Sequence, residues 1–195
     1  MSRPTVALIY GLAEGPWCST TFRAALRDAG FDVVNDAAKA DCVVAHSGGH
    51  LLLPSRYYKT VLLVTPSCGN KYKHVLRDHV AKLRRDNQLA RTRKFAMRWW
   101  GGLGKNAWYF ANVRRNWQLY KMSRSPAGQT LPHCNAHTAV VLVCKDDPWS
   151  SGINASTANN APRYAYATYE GGHDDIWYQP QPFAALLRHL IQEEL

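Results

Sequence analysis

The sequence has no long apolar run. None of its windows approaches the roughly 20 consecutive apolar residues that a membrane-spanning helix needs. The opening Met-Ser-Arg-Pro leads directly into residues 5–10 without the apolar stretch and small-residue cleavage site of a signal peptide. Internal repeats and low-complexity tracts are also missing. These absences exclude a membrane bundle, and they lead us to expect a soluble, cytoplasmic protein.

Cysteine pairs and clusters are missing, because the cysteines are irregularly spaced. The five cysteines are odd in number, and none belongs to a C-x-x-C pair. This pattern supports neither a disulfide framework nor a zinc ribbon. Cys42 and Cys144 lie inside apolar, strand-like runs, so we expect them to be small buried side chains.

The charge of the chain is concentrated in one segment. The 195 residues favour a single domain, and 46% hydrophobic with 19% charged residues exclude a disordered polyelectrolyte. Residues 71–125 hold 15 of the 24 Lys and Arg but only two acids. The formal charge of this segment is therefore +13, and that of the whole chain is +10. The remainder is therefore slightly acidic, at −3.

Outside that segment, apolar runs typical of β-strands alternate with helical patterns. We predict six strands, at residues 5–10, 31–34, 41–45, 58–65, 138–144 and 163–168. Helical spacing over 19–29 and beyond Pro182 predicts flanking helices. Near-continuous apolar strands separated by helices indicate an α/β fold, with a mostly parallel central sheet of about six strands buried on both faces.

The basic segment differs in kind. Its first part, 71–90, keeps a helical period of apolar residues, with Lys and Arg on the other face. Its second part, 95–120, holds four of the seven tryptophans and is broken by glycines at 101, 102 and 104. We therefore predict a basic, aromatic, helical insertion.

The sharpest local feature is AHSGG at residues 45–49, directly after an apolar strand. A nucleophile elbow places a serine on a tight strand-to-helix turn, with small neighbours that let the backbone fold and the substrate approach. Gly49 fills one small position and Ala45 fills the other. A plain turn has the same local sequence, so this feature alone leaves both interpretations open.

Two further loops follow in the chain order that an elbow requires. KDDPW (145–149) comes after the fifth predicted strand, and EGGHDD (170–175) comes after the sixth. Acidic turns and single histidines are common. A serine, an acid and a histidine in this order, each just past a strand, are typical of a catalytic triad.

With these loops the sequence resembles the α/β-hydrolase superfamily, and within it the small serine hydrolases of the YdeN and retinoblastoma-binding-protein-9-like type. The matching stretches are VVAHSGG (43–49), VLVCKDDPW (141–149) and GGHDDIW (171–177). The resemblance covers about two thirds of the chain. It implies one α/β-hydrolase domain over 1–195, in which 71–125 is an insertion.

The resemblance also implies roles for individual residues. Ser47 becomes the nucleophile, His173 the general base and Asp147 the orienting acid, with Asp146 as the alternative acid. A serine hydroxyl attacks well only when an imidazole takes its proton, and the carboxylate fixes the tautomer of that imidazole. The family's oxyanion hole consists of backbone N–H groups, which fall here on Gly48 and Leu12.

Two histidines, His46 and His50, flank the serine. A His-x-x-x-His pair on a helix also suits a metal ion, but spacing places no third ligand. We therefore expect no metal and no other cofactor.

The insertion, 71–125, lies between the fourth and fifth strands, where the superfamily commonly inserts a lid. As a lid, its tryptophans would wall a pocket for a small acyl substrate. A basic helix with aromatic residues also suits anionic lipid headgroups. Basic and aromatic residues together could bind nucleic acid, although no nucleic-acid motif is present, and a plain solvated face is a further interpretation.

Our hypothesis from the sequence is a serine hydrolase that cleaves a carboxylic ester or related acyl bond through an acyl-enzyme. The alternative is a catalytically idle hydrolase-fold binding protein whose insertion docks on anionic lipid or nucleic acid. The acyl group and the oligomeric state stay open.

Overall fold

The computed structural model describes residues 2–11, 14–16, 18–67, 113–123, 125, 130–147, 149–150, 153–155, 158 and 164–192. The predictions for Leu12 and for most of the insertion, residues 71–112 and 124, lie outside these residues.

Six parallel strands form one sheet, and each corresponds to a predicted apolar run. The strands are β1 (Thr5–Ile9), β2 (Asp32–Val34), β3 (Cys42–His46), β4 (Tyr57–Val64), β5 (Asn135–Cys144) and β6 (Tyr164–Tyr169). Their order across the sheet is β2-β1-β3-β4-β5-β6. The sheet is therefore entirely parallel, where the sequence predicted a mostly parallel one.

Alternate side chains of the strands enter two separate cores, one on each face of the sheet. In β3, Val44 packs in one core and Val43 in the other. The first core also receives Phe22 from helix α1 (Thr20–Asp28) and Leu187 from helix α4 (Gln181–Gln192). Burial on both faces explains why the strands are apolar without alternation.

Short elements complete the described part of the chain. A 3-10 turn (Ala37–Lys39) is the element between β2 and β3, and a 3-10 helix (Ser47–Leu52) follows β3. Helix α2 (Val113–Ser123) belongs to the insertion, and helix α3 (Asp175–Tyr178) precedes α4. No described helix has the length and hydropathy that crossing a membrane would require.

Apart from one-residue shifts at the ends of the elements, the structure differs from the predicted elements at two places, and it agrees with the prediction for two cysteines. Strand β5 begins at Asn135, three residues before the predicted start, because Ala136 is also buried. Helix α3 was not predicted, since four residues are too few to show a helical period. The predictions for Cys42 and Cys144 are confirmed, because both are buried free cysteines.

The parallel arrangement brings the polar loops together. Ile9 pairs with Ala45 across β1 and β3, and Cys144 pairs with Tyr169 across β5 and β6. All six strands therefore end at the same edge of the sheet. In open parallel sheets, this carboxyl edge is where ligands bind.

Candidate active site

Ser47 lies on the turn between β3 and the 3-10 helix. Its φ of 52° is in the left-handed region, which residues other than glycine seldom adopt. Such strain costs about 1–3 kcal/mol and tends to concentrate at functional sites. A Cβ added at Gly49 would lie 2.4 Å from the carbonyl oxygen of Ile9, so only glycine fits there. Ser47 thus has the backbone geometry of a nucleophile elbow, with its buried side chain at the carboxyl edge.

A buried acid and a histidine face each other on the loops after β5 and β6. Asp147 Oδ2 lies 3.0 Å from His173 Nδ1. Asp147 also accepts hydrogen bonds from the Trp149 N–H at 2.8 Å and the Ser150 hydroxyl at 2.6 Å. The alternative acid Asp146 is exposed, and its N–H donates to the Gly171 carbonyl. The contact with His173 is therefore made by Asp147.

Electrostatics couple these two side chains. Burial opposes the ionisation of Asp147, but His173 and the hydrogen bonds from Ser150 and Trp149 hold the pKa of Asp147 below its usual value. Burial also opposes a charged His173, yet Asp147, Asp174 and Glu14 raise the pKa of His173 to about 9. His173 is consequently a stronger base than free imidazole.

The glycines before His173 allow the loop to close. A Cβ added at Gly171 would lie 2.2 Å from Asp175 Oδ2 and 2.7 Å from the Tyr169 ring. Asp175 Oδ2 in turn accepts the Gly172 N–H at 3.0 Å. Gly171 is therefore required in a tight turn that Asp175 fixes at the start of α3 through its bond to the Gly172 N–H.

A second acid–histidine pair, which sequence analysis missed, joins the loops after β1, β3 and β6, with His46 buried and Glu14 partly buried. Glu14 Oε1 lies 2.6 Å from His46 Nδ1, and His46 Nε2 donates to the His173 carbonyl at 2.8 Å. Glu14 Oε2 accepts the Gly11 N–H at 2.6 Å. Burial would raise the pKa of Glu14, but His46, His173 and the Gly11 N–H lower this pKa below its usual value. The Glu14–His46 pair therefore connects the loop after β1 to the backbone of His173. His46 is also the residue directly before Ser47.

The Ser47 hydroxyl also has a partner that the sequence did not indicate. Ser47 Oγ and Ser67 Oγ are 2.9 Å apart, and both side chains are buried. Ser67 follows β4, after Thr65, whose φ is 45°. A positive φ is a true outlier for a β-branched residue, so backbone strain is present on this side of the site as well.

The predicted oxyanion hole is described in part. A Cβ added at Gly11 would lie 2.8 Å from Ser47 Cβ and 3.1 Å from the Gly48 nitrogen. The loop after β1 therefore runs against the elbow, close to the Gly48 nitrogen. Leu12, the second predicted donor, is outside the described residues.

The two histidines that suggested a metal pair have other partners. His50 Nδ1 donates to the Ser47 carbonyl at 2.7 Å, and burial lowers the pKa of His50 to about 4. Among the described residues, Glu14, His46, His173 and Asp174 offer potential ligand atoms within 4.8 Å of one another. Both nitrogens of His46 and Nδ1 of His173 already contact protein acceptors. A metal ion would have to displace that network.

Comparison with known proteins gives a match in structure alone. No protein-family model matches the chain, and no curated protein matches it. Many solved structures do match. The chain is similar to epoxide hydrolase A from Mycobacterium thermoresistibile, with 17% identity, coverage of 97% of this chain and 91% of that one, and a TM-score of 0.52.

Two other matches come from studies of ester-cleaving enzymes. One is from work on carboxylesterases of the thaumarchaeon Nitrososphaera gargenis, with 12% identity, coverage of 99% and 92%, and a TM-score of 0.54. The other is from work on LipS and LipT, two metagenome-derived lipolytic enzymes, with 9% identity, coverage of 98% and 94%, and a TM-score of 0.55. These structural neighbours are hydrolases. At such identities the likeness establishes the architecture, and the chain has the α/β-hydrolase fold.

Proposed function

We propose that the protein is a serine hydrolase that cleaves a carboxylic ester or a related acyl bond through an acyl-enzyme on Ser47. The proposal is carried by one observation at the carboxyl edge of the sheet. A serine on a positive-φ turn lies beside His46, which bonds to the backbone of His173, and His173 contacts Asp147. The narrower resemblance to the YdeN type stays a prediction.

In the proposed reaction, the Ser47 hydroxyl leaves Ser67 and gives its proton to His173 as Oγ attacks the acyl carbon. Asp147 stays ionised and stabilises the imidazolium. The Gly48 N–H donates to the developing oxyanion. The intermediate then expels the alcohol, which takes the proton from His173. Water, which gives a proton to His173, then attacks the acyl-enzyme, and the acid is released as Ser47 Oγ takes that proton back from His173.

A fluorophosphonate probe tests this proposal, because it phosphonylates a serine only when a neighbouring base activates it. We expect one label, located by peptide mass spectrometry on Ser47 and lost in Ser47→Ala. Ser67→Ala is the matched control, since it removes the other hydroxyl of the pair and should keep the label. If folded protein stays unlabelled while a reference hydrolase reacts, the proposal is wrong.

A second candidate, docking on an anionic lipid surface, is favoured by helix α2. The Trp117 side chain is 56% exposed and stacks on Tyr120 with ring centroids 5.6 Å apart. The Lys121 ammonium lies 5.3 Å from the centre of the Trp117 ring. An exposed tryptophan beside a lysine suits the headgroup region of a membrane.

Vesicle flotation with phosphatidylserine separates docking from catalysis. If docking is correct, binding falls as salt rises, survives in Ser47→Ala and weakens in the double variant Trp117→Ala/Lys121→Ala. Absence of binding at low salt would remove this candidate. Binding to an oligonucleotide in place of vesicles would assign the surface to nucleic acid.

A further inference from the structure

A cavity of about 620 Å³ opens at the carboxyl ends of β1 and β2, beside the elbow. Its volume is within the range of roughly 300–1,000 Å³ that small-molecule sites occupy. Apolar side chains supply part of the lining, and its polar groups come from four side chains: Tyr10, Arg23, Asn35 and Arg115. Among the residues that the structure describes, no carboxylate lines this cavity.

Two arginines therefore line this space, and no acid is among its described lining residues. Arg23 reaches it from α1, and its guanidinium donates to the Tyr10 hydroxyl at 3.2 Å, to the Ser19 hydroxyl at 3.3 Å and to Asn35 Oδ1 at 2.9 Å. Within the described part of the chain, Arg23 forms no ion pair with an acid. Arg115 reaches the cavity from α2 and donates to the Tyr10 carbonyl. Planar guanidinium groups suit carboxylate and phosphate oxygens.

The cavity and the elbow share the segment that carries Tyr10. The next residue, Gly11, abuts Ser47, because a Cβ on Gly11 would lie 2.8 Å from Ser47 Cβ. Leu52, from the 3-10 helix that begins with Ser47, also lines the cavity. A ligand in this cavity thus lies next to the loop that would bind the oxyanion.

Charge gives such a ligand a direction. The three carboxylates around His173, those of Glu14, Asp147 and Asp174, outnumber the imidazoles of His46 and His173 and so repel an anion, whereas Arg23 and Arg115 attract one. We propose that the cavity is an anion subsite, which holds an acidic group of the acyl substrate while the scissile carbonyl lies at Ser47. This inference rests on the proposed serine hydrolase and adds the class of its substrate, an ester of an acid with a second anionic group.

The decisive comparison uses 4-nitrophenyl esters of equal acyl length. We expect kcat/KM for the half-esters of succinic, glutaric or adipic acid to exceed that of the matching neutral ester by at least tenfold for one chain length. Arg23→Gln and Arg115→Gln should each reduce this ratio at least fivefold. Arg27→Gln is the matched control, because Arg27 is exposed on α1 and does not line the cavity.

One further variant and a binding measurement keep the outcomes distinct. Arg23→Lys retains the charge and should keep part of the preference, and Arg115→Gln decides the matter if Arg23→Gln does not fold. Free succinate should raise the Tm of Ser47→Ala protein, and Arg115→Gln should abolish that rise.

A ratio near one for every chain length, or a ratio unchanged in both glutamine variants, overturns the inference even if neutral esters are cleaved. Succinate binding without any ester cleavage contradicts the proposed hydrolase and leaves an anion site. If succinate binds but does not inhibit hydrolysis of the half-esters, the anion site is separate from the substrate site, and this result also overturns the substrate assignment.

Discussion

The carboxyl edge of the sheet has two chemically different halves. The acid–histidine half, above β3, β5 and β6, consists of Glu14, His46, Ser47, Asp147, His173 and Asp174. The arginine half, above β1 and β2, consists of Tyr10, Arg23, Asn35 and Arg115. A general base needs carboxylates that raise its pKa, and the same carboxylates repel an anionic substrate. Recognition of an acidic group therefore requires a neighbouring region of opposite charge, and the segment of Tyr10 and Gly11 lies between the two.

The largest expected effect comes from removing the Asp147 carboxylate from the acid–histidine half. In Asp147→Asn, an amide replaces the carboxylate that fixes the His173 tautomer, so kcat for ester cleavage should fall by roughly 10³–10⁴-fold. Asp146→Asn is the matched control and should change kcat less than about twofold, because Asp146 is exposed. The measurement is steady-state hydrolysis of the preferred ester by protein whose far-UV and near-UV circular dichroism match the wild type. A greater loss in Asp146→Asn would exchange the roles of the two acids.

The next effect arises where the halves meet, at Gly49. A Cβ in Gly49→Ala would lie 2.4 Å from the Ile9 carbonyl oxygen and 3.0 Å from the Tyr10 carbonyl carbon. Because backbone atoms cannot move aside as side chains do, the free energy of unfolding should fall by about 2–4 kcal/mol. Gly172→Ala, whose Cβ would be 3.9 Å from Asp175 Oδ1, should cost less than about 1 kcal/mol. Urea unfolding measures the free energy of unfolding of both variants. Equal decreases in the two variants would show that the close backbone approach at Gly49 does not destabilise Gly49→Ala.

The smallest effect concerns the pH profile. His173 accepts a proton only when it is neutral, and its pKa is raised to about 9, so kcat/KM should increase with pH through the neutral range. Asp174 helps to raise the pKa of His173, so Asp174→Asn should move the midpoint of the pH profile to lower pH. Asp36→Asn, beside the exposed 3-10 turn, should leave the midpoint unchanged. A wild-type midpoint at or below about 6.5, the pKa of free histidine, would contradict the proposed coupling of His173 to its carboxylates.

The same shift has a consequence for stability, with a defined sign. A histidine whose pKa is raised on folding stabilises the folded state fully below its unfolded pKa of about 6.5. That contribution is lost as pH rises through the folded pKa of about 9. The pH range that favours the proposed reaction is therefore the range in which the Asp147–His173 pair stabilises the fold less.

Most of the sheet could be predicted from the sequence because burial on two faces leaves long apolar runs. The loops that carry Ser47, Asp147 and His173 were found because each follows such a run. Their roles stay predictions, and the position of Asp147 at His173 adds to the reasons for preferring it to Asp146.

The rest could not be predicted because its signal is spread over distant segments. Glu14 and His46 are 32 residues apart, and only the folded loop after β1 brings them within 2.6 Å. Arg23 looks like any exposed cation on an amphipathic helix, and its place beside a cavity depends on Asn35 and on Arg115 from the insertion. Hydrophobic periodicity describes each element alone, whereas a cavity is formed by several elements at once.

The backbone at Ser47 sets stability and chemistry against each other. At a φ of 52°, glycine would be less strained than serine by about 1 kcal/mol, so glycine would be the more stable residue here once Ser67→Ala has removed the other half of the Ser47–Ser67 hydrogen bond. A mutational screen of Ser67→Ala protein that scores only folded protein should therefore enrich Ser47→Gly, and a screen that scores turnover should eliminate it. Opposite results from the two screens at this residue would mark the position where the fold gives up stability for reactivity.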